Sequence, residues 1–300
     1  MLDLSVIILT YNEELHIRRC IDNITQIVKD IFIIDCGSTD NTLVIAKEYE
    51  NVTILQNKWV NYATQFNWAL ENAAIKTKWV LRLDADEYLS DELIKELENR
   101  LPKLDENISG IVFPLKRIFL GKEIKHGMNQ VKLMRIFKFG KARCENRFMD
   151  EHIQLIEGET IDFKGEFADD NLNNLSWWTQ KHIGYSTREV IDLLDIEYNI
   201  IGNANDDKDK VINEQAKNKR LLKHKYVKQP IFWRSFAYFC LRYFVRGGFL
   251  DGKEGFLWHF LQGWWYRTLV DAKIFEIKSK CGNDKVKIKE YIKANYNIEL

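Results

Sequence analysis

The sequence predicts an α/β protein: a Rossmann-like parallel sheet of nucleotide-binding type, extended by antiparallel strands and followed by a helical, aromatic-rich C-terminal region. Three observations predict it. Short β-branched runs alternate with amphipathic segments over the first hundred residues, the β-α-β-α order of a parallel sheet with right-handed crossovers. After Pro102, strand-like runs follow one another with glycine turns between them. Beyond Pro230, the stretch 232–275 holds fifteen of the thirty-eight aromatic residues of this 300-residue chain.

Residues 4–9 (LSVIIL) are an apolar, β-branched run of the kind buried in a parallel sheet. A helix follows, with Ile17, Cys20, Ile21, Ile24 and Ile27 on one face. Residues 31–34 read as the second strand, ending at Asp35, and Gly37-Ser38-Thr39-Asp40 supplies a turn and capping residues before a helix over 43–49. Residues 52–55 read as the third strand. Tyr62, Phe66, Ala69, Leu70 and Ala73 form the next helical face, and 79–83 read as the fourth strand. Strands are expected over 111–115, 131–139 and 153–156, with hairpin signals at Gly121 and Gly140. Asp169 and Asp170, followed by an Asn-rich stretch, read as a loop. A charged helical region over 177–226 follows. The expected division is a catalytic domain over 1–170, with a nucleotide-binding half to residue 100, and a helical region over 171–300.

A hydrophobic content of 46% with 29% charged residues allows a large core. The formal net charge is zero, which gives no global pull toward nucleic acid. Locally, 208–246 is cationic, with eleven Lys or Arg against Asp209 and Glu214. Five scattered cysteines without a Cys-x-x-Cys spacing argue against a zinc site or a disulfide scaffold, and fit a reducing cytoplasm. The chain enters a strand straight after Met1-Leu2-Asp3, without the basic and then apolar start of a signal peptide.

Two carboxylates, Asp84 and Asp86, leave the end of the fourth strand in Leu83-Asp84-Ala85-Asp86-Glu87. Open α/β sheets place their ligands at that end of a strand, so the pair reads as a cation and phosphate site. A second Asp-x-Asp, at Asp207 and Asp209, lies in a Lys-rich stretch and reads as solvated surface.

The segments SVIILTYNEE, IIDCGSTDNT and WVLRLDADEYL, in that order and spacing, resemble the inverting family 2 glycosyltransferases of GT-A fold. NYATQFNWAL, VKLMRIFKFGKARCENRFMDEH and GGFLDGKEGF resemble, more narrowly, bacterial enzymes that add a sugar to lipopolysaccharide core or other surface-polysaccharide precursors, the β-1,4-glucosyltransferase type included. The resemblance implies a UDP-sugar donor, a glycan or glycolipid acceptor, and Mg²⁺ or Mn²⁺ at the diphosphate. It implies that Asp86 binds the metal and that Asp84 meets the ribose or the metal. Asp35 is implied as a uracil or ribose contact, and Thr10, Tyr11 and Glu13 as the nucleoside pocket. For Tyr11 and Glu13 a capped helix start is the competing reading, and for Asp35 a turn former. Glu151, or else Asp150, is implied as the base that deprotonates the acceptor hydroxyl. His152 is either a third metal ligand, a substrate contact or structural. Two positions depart from the family pattern: Cys36 stands where many relatives carry a second acid, and Phe66 where many carry Arg. Arg82, Lys132 and Arg135 are the remaining candidates for the diphosphate, against a reading as surface charges.

In 231–245, Arg234, Arg242 and Arg246 share one helical face while Phe232, Trp233, Phe236, Phe239 and Phe244 cover much of the rest. Such a helix suits a membrane interface, with the basic stretch 217–228 near anionic lipid, and is too short and interrupted to span one. A core helix or a subunit contact is the alternative. The expected location is the cytoplasmic face of the inner membrane. A sugar-phosphate nucleotidyltransferase and a non-catalytic nucleotide- or membrane-binding protein are the competing functions; the first lacks its Gly-rich basic start here.

Overall fold

The computed structural model describes residues 1–145, 152–201 and 225–300. Contacts divide the chain into two units, one of residues 1–124 and 129–173, the other of 125–128 and 174–300.

The first unit is built on a sheet whose strands lie in the spatial order 52–56, 30–35, 4–10, 79–82, 132–138, 108–119, 167–170 and 87–89. β1 (Leu4–Thr10), β2 (Asp30–Asp35), β3 (Val52–Gln56) and β4 (Trp79–Arg82) are mutually parallel, with β1 between β2 and β4. Burial of β1 and β2 on both faces explains their unbroken apolar runs. The connecting helices are α1 (Ile17–Ile24), α2 (Thr42–Ala46) and α3 (Tyr62–Asn72); the first and third were legible from their apolar faces, the second from the turn and capping residues before it. α2 is shorter than expected, and Ile27 lies beyond the end of α1, though it is still buried. Strand order reverses between β1 and β4, so the carboxyl ends of those two strands form the crevice where doubly wound sheets bind ligands.

Beyond β5 (Glu87–Leu89) and α4 (Asp91–Arg100), β6 (Ile108–Phe119) and β8 (Lys132–Lys138) are antiparallel and join the sheet at β4. β7 (Lys122–Glu123) pairs with β6, and β9 (Ala142–Cys144) pairs with β10 (Ile153–Leu155) in a separate hairpin. β11 (Glu159–Asp162) and β12 (Phe167–Asp170) both run parallel to β6, and β12 also pairs with β5. The expectation of a loop at Asp169 and Asp170 is therefore corrected: both belong to a strand. Its partners lie some 50 and 80 residues earlier, out of reach of a local reading. Two apolar layers cover the sheet, one centred on Val6, Ile8, Ile21 and Ile33, the other on Ile7, Phe66, Val80 and Phe137.

The second unit is helical. α5 (Leu175–Tyr198) packs on α8 (Tyr266–Cys281), and their core of Val190, Ile191, Leu194, Val270, Ile274 and Ile277 is closed by Ile288 and Ile292 of α9 (Lys285–Tyr296). α6 (Trp233–Cys240) continues through π-helical turns at Leu241–Val245, and α7 (Gly252–Trp258) runs into α8 through a π-helical stretch, His259–Trp265.

Of the three arginines expected on one helical face, Arg234 lies in α6, Arg242 in the π-helical turns after it and Arg246 just beyond, and the first two point inward. Arg234 is 6% and Arg242 1% exposed, whereas Trp233 is 72% exposed. Arg234 pairs with the buried Asp271, its Nε donating to Oδ1 at 2.8 Å, and Arg242 donates to Gln262. Arg246 alone of the three is exposed. Spacing shows which residues share a face; it does not show which face turns inward when a buried carboxylate lies 37 residues away.

Candidate active site

Thr10 and Asp35 are register partners at the ends of β1 and β2, and Thr10 Oγ1 donates to Asp35 Oδ1 at 3.1 Å. Asp35 is fully buried. Its Oδ1 also accepts from Ser38 Oγ at 2.5 Å, and its Oδ2 accepts from the backbone N–H groups of Gly37 and Ser38 at 2.8 and 2.9 Å. A carboxylate has about four acceptor sites, and these four donors fill them. The turn depends on Gly37, whose φ of +101° is open to glycine and strained for other residues. Cys36, part-buried, turns its thiol to the Thr10 carbonyl at 3.4 Å.

The loop after β1 is lashed to this turn. Asn12, in the left-handed region, donates its N–H to Ser38 Oγ and accepts from Thr39 N–H, and Glu13 N–H donates to Thr42 Oγ1 at 2.7 Å. Tyr11 is 58% exposed, a free aromatic face above the end of β1. The Glu13 carbonyl accepts from the N–H groups of His16 and Ile17, so Glu13 opens α1 as well as presenting a carboxylate.

Asp84 leaves β4 at the crevice. Its Oδ1 accepts from the hydroxyl of Tyr62, in the first turn of α3, and its Oδ2 lies 3.6 Å from Arg135 Nη2. Arg82 Nε donates to the same Tyr62 oxygen at 3.0 Å, with its guanidinium 4.1 Å from the ring centroid. Arg135 also pairs with the buried Glu87, whose other oxygen accepts from Asp84 N–H at 2.9 Å. Burial holds the Tyr62 phenol well above its ordinary pKa, and the neighbouring Asp84 adds to that. Tyr62 therefore remains a donor throughout the physiological range. Asp86 accepts on Oδ2 from the Asn171 side-chain amide at 2.8 Å, and its carbonyl accepts from Arg19 and from Asp170 N–H.

Arg82 and Arg135 are 8% and 6% exposed, which corrects their reading as surface charges. Both lie against Asp84. Lys132 instead pairs with Asp162 at 2.5 Å. Arg135 lies between the Asp84 and Glu87 carboxylates, and burial pushes the Glu87 carboxyl well above the usual range.

Among the described residues no group of three His, Cys, Asp or Glu side chains is placed to hold a metal. Two carboxylates nevertheless fit Mg²⁺ or Mn²⁺ in a site completed by phosphate oxygens and water, because such hard cations are commonly held by one or two carboxylates plus a substrate diphosphate. Asp86 Oδ1 takes no hydrogen bond among the described residues and is the oxygen best placed to serve. His152 offers its carbonyl to Glu145 N–H at 2.9 Å. Asp150 and Glu151 lie outside the described residues. Sequence reasoning missed Tyr62, His16, Arg19 and Asn171 as members of the site: the first served as an apolar helix position, and the last three act through strands and loops remote in sequence.

A crevice at the switch point of a parallel sheet, with an Asp-x-Asp pair at a strand end and antiparallel strands extending the sheet, defines an α/β enzyme of the GT-A kind. Residues 5–153 match the family model described as Glycosyl transferase family 2; the chain carries a domain of that family and is a transferase. An uncharacterized glycosyltransferase of Rickettsia typhi is 26% identical over 262 residues, 84% of this chain and 82% of that one. The lipopolysaccharide core biosynthesis glycosyltransferase LpsC of Rhizobium meliloti is 28% identical over 149 residues, covering 48% of this chain and 54% of its own. Among solved structures, S. aureus TarS 1-349 in complex with UDP-GlcNAc aligns with 94% of this chain and 92% of its own, at 14% identity and a TM-score of 0.47.

Proposed function

We propose that the protein transfers a hexose, with inversion, from a UDP-sugar to a saccharide acceptor carried on lipid, of the kind built into bacterial lipopolysaccharide or surface polysaccharide. The observation that carries this reading is the paired carboxylate at the sheet crevice, Asp84 locked by Tyr62 and Asp86 by Asn171. Asp86 and Asp84 would hold Mg²⁺ or Mn²⁺. The cation would supply neutralisation of the charge that develops on the departing diphosphate.

The chain's own groups do the rest. Tyr11 offers a face for stacking a base, and Thr10 and Glu13 line the same end of β1. Asp35, its acceptors filled by its own loop, enters as the brace of the pocket floor, so a uracil or ribose contact there would displace an internal donor. Arg82, through Tyr62, and Arg135 hold Asp84 in its orientation. Glu151, or else Asp150, takes the proton from the acceptor hydroxyl. The family match and the name of the LpsC relative support the transferase class and the type of acceptor.

Among the described residues no helix is long and apolar enough to cross a membrane. The outward aromatic face of the second unit supports reversible contact with an inner-membrane surface instead. The rings touch in series across a buried link, Trp233 to Phe236, Phe236 to Trp264, Trp264 to the buried Phe239, Phe239 to Tyr243, and Tyr243 to the exposed Phe249 and Phe256. Lys253 stands beside the last of these, at an apolar cleft. The experiment for the function is donor turnover: purified protein with Mn²⁺ should release UDP from one member of a UDP-sugar panel, and Asp86→Ala should not. Wild-type protein inert to the whole panel would overturn it.

A further inference from the structure

Three consecutive residues, the last of β12 and the two that follow it, touch both halves of the site. The Asp170 N–H donates to the Asp86 carbonyl at 3.1 Å, and the Asn171 amide donates to Asp86 Oδ2 at 2.8 Å. The Leu172 N–H donates to His16 Nε2 at 2.9 Å. His16, fully buried, must then carry its proton on Nδ1, where it meets Glu13 Oε2 at 2.7 Å. The Asn171 amide is fixed in the same way, because its Oδ1 accepts from Asn173 N–H at 3.0 Å and leaves the NH₂ end for Asp86. Arg19 clamps the segment, donating to the Asp170 carboxylate at 2.6 Å and to the Asp170 carbonyl at 2.5 Å.

We propose that residues 170–172 form a positioning strap, with Asn171 presenting Asp86 Oδ1 to the cation and His16 presenting Glu13 to the nucleoside. It rests on the function proposed above, and assigns that site two positioning residues outside its motifs. Asn171 occupies one carboxylate oxygen and so leaves a single, fixed oxygen for a metal. His16 reads the same segment through a backbone N–H, so the cation end and the nucleoside end are held by one piece of chain. Partners of metal-binding carboxylates commonly carry a 10–100-fold share of metal affinity or activity.

The two ends can be tested apart by titrating UDP with and without Mn²⁺ in a calorimeter. Asn171→Ala, at a part-exposed position that tolerates truncation, should reduce the Mn²⁺-dependent gain in UDP affinity by about tenfold or more and leave metal-free UDP affinity unchanged. His16→Gln fills similar volume but cannot serve Leu172 and Glu13 together. It should weaken metal-free UDP binding and preserve the Mn²⁺ gain. Parallel losses in both quantities, tracking thermal stability, would mean a merely structural segment and overturn the strap, as would a wild-type Mn²⁺ gain in Asn171→Ala. If the wild-type protein itself shows no Mn²⁺ gain, the proposed metal site falls, and the strap with it.

Discussion

Tyr62 donates its hydroxyl to Asp84 and at the same time accepts from Arg82 Nε at 3.0 Å, so a neutral phenol sits between a carboxylate and a guanidinium at the mouth of the crevice. The arrangement spaces the two charges and, with Arg135 3.6 Å from Oδ2, fixes the orientation of the Asp84 carboxylate. Tyr62→Phe keeps the ring under Arg82 and removes the donor. Turnover or Mn²⁺ affinity should fall about 10–100-fold with little change in thermal stability. Steady-state rates across a Mn²⁺ series, set beside a melting curve, check this.

Arg234 and Asp271 form an ion pair with side chains 3% and 1% exposed. Removing one partner strands the other charge in the core. Arg234→Ala should lower stability by about 3–5 kcal/mol, and the apolar pair Arg234→Met with Asp271→Leu should recover most of it. Urea unfolding of the three proteins decides.

His182 stacks on Trp178 with ring centroids 3.5 Å apart, and its Nδ1 donates to the Trp178 carbonyl at 2.8 Å. Burial pushes its pKa down from 6.5 to about 4, with Lys181 adding to the shift and the hydrogen bond opposing it. The unfolded chain therefore binds this proton first. The contribution to stability is complete above the unfolded value of 6.5 and is lost as pH falls through about 4. His182→Phe, which keeps the stack, should flatten the slope of stability against pH across that window by up to one proton. An unchanged slope would contradict the assignment.

How far the sequence reaches is plain from two strands. β1 was legible because burial on both faces demands an apolar run that cannot be mistaken for solvent-exposed chain. β12 was not, because Phe167–Asp170 is two apolar residues and two acids, and its strand character comes from pairing with β5 and β6. The same limit applies at the site. Asp84 and Asp86 announce themselves at a strand end, whereas Asn171 matters only because β12 delivers it to Asp86. Asp35 shows a subtler limit: its position was legible, and the filling of its acceptors by Thr10, Gly37 and Ser38 was not.

Trp233 and Phe236 are 72% and 38% exposed, so their replacement by Ser should leave the protein folded and soluble. If the aromatic face meets lipid, the double variant should lose flotation with anionic liposomes at low salt and keep donor hydrolysis. Equal flotation of variant and wild type would remove this face from membrane contact.

The proposed function stands on a divalent cation held by Asp84 and Asp86 against the diphosphate of a nucleotide sugar. Its most direct measurement is UDP release from the donor sugar after chelation and stepwise return of Mn²⁺, for wild type and Asp86→Asn. Wild-type turnover should vanish in excess chelator and return with Mn²⁺, and Asp86→Asn should stay orders of magnitude slower at every concentration while remaining folded. Full wild-type turnover in excess chelator, or an Asp86→Asn variant with the wild-type Mn²⁺ response, would contradict it.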